Sequence, residues 1–68
     1  MYSYQLFLKY IDEWKPAVKI VADEPIQYTI TAASINEAIV KVIKNINGIK
    51  LNKTHKLVCN ETGESQIF

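Results

Sequence analysis

The sequence predicts a small α+β domain: a three-stranded antiparallel meander, one helix packed on one sheet face, then a fourth strand and a C-terminal hairpin, in the order βββαβ(β). Three observations predict it. Apolar and polar residues alternate with period two through most of the first 32 positions. A single segment, Ser34 to Gly48, switches to helical spacing and carries a start and a stop signal. The chain has 68 residues, which is enough for one core and no more.

Tyr2 to Ile11 reads as the first strand. Tyr2, Tyr4, Leu6, Leu8 and Tyr10 share one face, and Ser3, Gln5, Phe7, Lys9 and Ile11 share the other. Asp12-Glu13-Trp14-Lys15-Pro16 breaks the pattern and reads as a loop, because Pro16 cannot donate to a ladder. Ala17 to Ala22 reads as the second strand, with Val18, Ile20 and Ala22 turned inward and Ala17, Lys19 and Val21 outward. Asp23-Glu24-Pro25 is a turn by composition. Ile26 to Ala32 is the third strand, rich in the β-branched and aromatic residues that a pleated, half-buried surface accommodates. Short connections make the three an antiparallel meander.

Ser34 and Glu37 form a capping box at the start of the helix. Ile35, Ala38, Ile39, Val42, Ile43 and Ile46 recur on one helical face, which the sheet is expected to bury. Glu37 and Lys41 are placed for an i,i+4 pair. Gly48 stands where a helix commonly ends in the left-handed region. Ile49 to Lys53 reads as a connector and Thr54 to Asn60 as the fourth strand, with His55, Leu57 and Cys59 on one side. Glu61-Thr62-Gly63-Glu64 is a hairpin loop, and Ser65 to Phe68 returns as a short last strand.

A core this small rarely stands without reinforcement. Cys59 has no second cysteine to pair with, and Cys59 and His55 fall short of the four ligands of a structural zinc. Helix packing or self-association remains, so a homodimer is one of the two expected states. Met1 to Ile11 shows neither a basic leader nor a continuous apolar run, and no segment approaches the length of a membrane span. A cytoplasmic protein without membrane contact is expected. Asn52-Lys53-Thr54 and Asn60-Glu61-Thr62 match the glycosylation pattern by chance on this reading.

The net charge of +1 conceals an asymmetry. Residues 1–37 hold three lysines and five acids, whereas residues 38–60 hold five lysines and no acid. Arginine is absent; with ten Ile and five Asn, this fits an AT-rich coding sequence and hence a bacterial, phage or plasmid source.

Residues suited to catalysis are scarce. Cys59 and His55 lie four apart on one strand face, about 13 Å, which is too far for proton transfer. Asp12-Glu13 and Asp23-Glu24 are turn acids beside prolines. No glycine-rich phosphate loop occurs. No catalytic residue, cofactor or metal is therefore expected.

The sheet face away from the helix is half apolar on this reading. Phe7, Val21 and Val58, with Trp14 in the adjoining loop, are the candidate partner-binding residues. The expected function is a non-catalytic module acting by protein–protein interaction, such as an accessory or inhibitor protein of a phage or mobile element. The alternative is weak nucleic-acid binding by Lys41, Lys44, Lys50, Lys53 and Lys56, whose charge would contact phosphates without reading bases. The run from Thr29 to Ile39, a strand closing in alanine followed by a Ser-x-x-Glu-Ala box, resembles the strand-to-helix joint of many small α+β domains, including small proteins of phages and mobile elements. It implies no particular family and no functional residue.

Overall fold

Strand β1 (Tyr2–Tyr10) is the axis of the main sheet, and three of its other strands pair directly with β1. In the computed structural model, which describes residues 1–45 and 52–68, β1 turns back into β2 (Glu13–Pro16) through Ile11-Asp12. Strands β3 (Val18–Val21) and β4 (Glu24–Gln27) form a separate two-stranded ribbon. The chain returns to β1 as β5 (Thr29–Ala32), and helix α1 (Ile35–Asn45) follows. The order closes with β6 (His55–Cys59) and β7 (Ser65–Ile67).

All pairings are antiparallel. β2 and β5 lie end to end along one edge of β1, opposite residues 7–10 and 2–5 respectively. β6 takes the other edge, with β7 outside it. Because β5 and β6 both run against β1, they are parallel to each other, and α1 packs on both. This is the α+β architecture the sequence predicts, with the helix on one sheet face.

The meander is subdivided in three places. Asp12 to Pro16, expected as a loop, supplies β2, because Ile11 takes a positive φ of 59° and closes a tight hairpin without glycine. Trp14 and Pro16 then alternate with Glu13 and Lys15 as strand residues do. Residues 18–21 pair with β4 and not with β1, which Ala17 reaches only through its backbone N–H. Ala17 is buried in the core, whereas Val18 and Ile20, expected to face inward, stand in solvent with the rest of β3. The segment 26–32 divides at Tyr28 between ribbon and sheet.

A three-way junction makes this branching possible. Leu6 N–H donates to Tyr28 O (3.2 Å), Tyr28 N–H to Ala17 O (2.9 Å), and Ala17 N–H to Leu6 O (2.8 Å). Three strands exchange partners there without leaving these backbone groups unpaired.

The core lies between β1, β5, β6 and the helix. Tyr4, Leu6, Ala32, Leu57 and Cys59 from the sheet meet Ile35, Ala38 and Val42 from α1, with Phe68 and Ala17 at the margins. Ile39 packs against this cluster, whereas Ile43 keeps 38% of its surface exposed. Ser34 caps the helix as expected, accepting from Glu37 N–H at 3.2 Å. The Glu37 carboxylate does not close the box; it faces Lys41 Nζ at 3.5 Å instead. The Gly48 cap, Ile46 and Lys50 lie outside the described residues. Gly63 takes the expected positive φ (80°), and its N–H donates to Cys59 O.

Candidate functional site

The face of the main sheet opposite the helix gathers most of the expected partner-binding residues. Alternation along β1 turns Phe7 outward, and the register sets it between Pro16 of β2 and Lys56 of β6. Trp14 enters the same face opposite Lys9, and Val58 opposite Gln5. Lys56 spans the two aromatic side chains, its ammonium 5.5 Å from the Phe7 ring centre and 4.9 Å from the Trp14 ring centre. A cation over aromatic faces is held electrostatically, so Lys56 fixes both rings while its alkyl stem covers them in part. Phe7, Trp14, Lys56 and Val58 are half-buried, and Ile67, opposite Lys56, is exposed.

Trp14 therefore packs on the sheet as a strand residue with one edge open to solvent. Val21 is not part of this face. It sits near the tip of the β3–β4 ribbon, on the side continuous with Ala17 and Lys19, because Val18 and Ile20 take the alternate positions between them. The apolar outward residues of that segment are Val18 and Ile20. Reading the alternation unbroken from Glu13 to Val21 would have identified them, together with Pro16.

Among the described residues the lysine series is divided between the two faces of the sheet. Lys41 and Lys44 are on the helix, where Lys41 Nζ donates to Thr31 O at 2.8 Å and pairs with Glu37. Lys56 lies on the opposite sheet face, occupied by the two rings. Lys53 precedes β6 with a positive φ of 63°, and Lys50 lies outside the described residues.

An open cleft of about 330 Å³ runs between the first turn of α1 and the β6–β7 loop, lined by Tyr2, Tyr4, Ser34, Cys59, Thr62 and Glu64. Tyr4 and Cys59 are buried in the core beneath it, and burial raises the Tyr4 hydroxyl above its ordinary pKa. His55 is at the far end of β6, stacked on Phe68 with ring centres 5.6 Å apart. Its Nδ1 lies 3.3 Å from Thr54 Oγ1, an adjacent hydroxyl that also donates to Asn52. Burial lowers the His55 pKa. Glu61 lies at the other end of the sheet, where it accepts from Ser3 N–H (2.6 Å) and Ser3 Oγ (2.7 Å), and these bonds hold its carboxyl below its ordinary value. Both groups bind parts of the fold to each other. Among the described residues no three His, Cys, Asp or Glu side chains converge as metal ligands, and no helix is long and apolar enough to cross a membrane.

Comparison with known proteins returns no matching family model, no matching curated protein and no matching solved structure.

Proposed function

We propose that this chain is a non-catalytic binding module that engages a protein partner through the outer face of its main sheet. The observation that carries the reading is the Phe7–Lys56–Trp14 platform. Two aromatic rings are held by a shared cation on the face the helix leaves open, and Pro16, Val58 and Ile67 extend the apolar surface around them. Pre-ordered aromatic side chains lose little conformational freedom on binding, and tryptophan is prominent among residues that dominate interface energy. The role of an accessory or inhibitor protein fits a module that supplies a surface and no chemistry.

Affinity capture from the source cell with immobilised wild type and variants tests this. Trp14→Ala should weaken retention of the bound protein by about 2 kcal/mol or more. Lys44→Glu, on the helix side, should leave it unchanged. Trp14 is the one tryptophan, so its fluorescence reports contact with the purified partner directly. Retention insensitive to Trp14→Ala and Val58→Glu would remove this face from consideration. Binding to nucleic acid that is lost with Lys44→Glu and Lys53→Glu, and that weakens steeply with salt, would replace the reading with the lysine-based one.

A further inference from the structure

We propose that the β3–β4 ribbon is a dimerisation arm, in which β3 pairs antiparallel with β3 of a second copy of this chain. The proposal uses a backbone edge rather than the sheet face discussed above, so either can fail alone.

The arm lacks the support a ribbon normally needs. All eight residues of β3 and β4 are exposed, and two-stranded hairpins without a covering layer are at best marginally stable in water. Its side chains are nevertheless apolar for a solvent-facing hairpin: Ile20 is 67% exposed and Val18 56%, with Val21 and Ile26 also open.

The two edges of the arm are not equivalent. The bond from Tyr28 N–H to Ala17 O sets the hydrogen-bonding phase of the ribbon. By alternation, Lys19–Ile26 and Val21–Glu24 exchange backbone bonds inside it, and Val18, Ile20, Pro25 and Gln27 direct theirs outward. On β4 one of the two outward donors is missing, because Pro25 has no N–H, and this blunts that edge. On β3 both Val18 and Ile20 offer N–H and C=O to an incoming strand.

Charge selects the occupant. Within the arm the one basic residue, Lys19, stands toward the base, and the two acids, Asp23 and Glu24, stand at the tip. Antiparallel pairing of two identical strands about a two-fold axis lays the base of one arm beside the tip of the other, so a second copy is complementary to the first. A register centred on Lys19 would set two ammonium groups face to face. A register centred on Ile20 opposes Ile20 with Ile20 of the partner subunit. It also places Lys19 beside the partner's Val21, whose own cross-strand neighbour is the partner's Glu24. The product is a continuous four-stranded sheet with an Ile20–Ile20 contact at its centre.

The test is sedimentation velocity of the full chain from about 1 to 300 μM, the range of weak, small interfaces. Wild type should convert from monomer to dimer across it, with Val18 and Ile20 amides gaining exchange protection as concentration rises. Ile20→Pro removes one outward donor and no bond within the ribbon, and should weaken dimerisation at least about tenfold. Lys19→Glu, at an exposed side chain whose ammonium lies 5.8 Å from the Tyr28 ring centre, should weaken it too, and adding Glu24→Lys should restore it. A wild type that stays monomeric throughout overturns the proposal. So does a dimer unaffected by both Ile20→Pro and Lys19→Glu, and if such a dimer were instead lost with Trp14→Ala, self-association would belong to the sheet face.

Discussion

At the scale of single residues, His55 couples acidity to stability. Its ring is half-buried and stacked on Phe68, and burial holds its pKa below the ordinary value of 6.5. The unfolded chain therefore takes up the proton at a higher pH than the folded chain does. The contribution is fully present above 6.5 and is lost as pH falls through the lowered folded value. The melting temperature of wild type should drop between about pH 7 and pH 5, and His55→Gln should flatten that slope. Equal slopes in the two proteins would show that the stack does not carry the effect. The Glu61 clasp acts in a separate window. Its pKa is lowered by the Ser3 hydrogen bonds, so its contribution is present above 4.5 and fades only below that, in both proteins. Neither role could be read from the sequence. Ser3 and Glu61 are 58 positions apart, and His55 finds Phe68 only because β7 returns beside β6.

At the scale of elements, the helix and the ribbon differ in how far local chemistry specifies them. The start of α1 follows from Ser34 alone, since the hydroxyl that accepts from Glu37 N–H is the one the sequence offers. The ribbon has a weaker signal: composition puts the turn at Asp23-Glu24-Pro25, yet Glu24 and Pro25 belong to β4 and the turn falls one residue earlier. Its turn residues, Ala22 and Asp23, both adopt positive φ (51° and 64°), the signature of a type I′ turn built without Asn or Gly. A left-handed non-glycine residue costs about 1–2 kcal/mol, somewhat less for Asp. Replacing Ala22-Asp23 by Asn-Gly should therefore stabilise the ribbon by about 1 kcal/mol. The readout is slower amide exchange at Val21 and Glu24, which face each other across the turn. Unchanged exchange would mean that the turn holds no such strain. The same absence of turn residues explains why Asp12 to Pro16 reads as a loop: Ile11 occupies a left-handed position that a β-branched residue rarely takes.

At the scale of the whole molecule, stability depends on few side chains. Leu57 is fully buried between β1 and the helix layer, and among the described residues the core contains nine other buried apolar residues. Leu57→Ala should cost about 2–5 kcal/mol, comparable with everything a core of this size supplies. The variant should be largely unfolded near room temperature by circular dichroism. A cooperative melt within a few degrees of wild type would contradict the central place of Leu57. The radius of gyration of 11.6 Å is close to the roughly 11 Å of a compact chain this long.

By itself the sequence determined the α+β class, the Ser34 cap at the helix start, the buried positions Ile35, Ala38 and Val42 of its stripe, and the outward placement of Phe7 and Val58. Each follows from a period of 2 or 3.6 acting over neighbouring residues. Tertiary structure alone decided which strand pairs with which. The junction of Leu6, Ala17 and Tyr28 is closed by hydrogen bonds between residues 11 and 22 positions apart, and it turned one expected strand into a free-standing arm. It also decided that Trp14 and Phe7 would share Lys56, a residue 42 positions beyond Trp14. Backbone pairing of that kind is set by which long-range partners saturate the N–H and C=O groups, and side-chain pattern does not encode it.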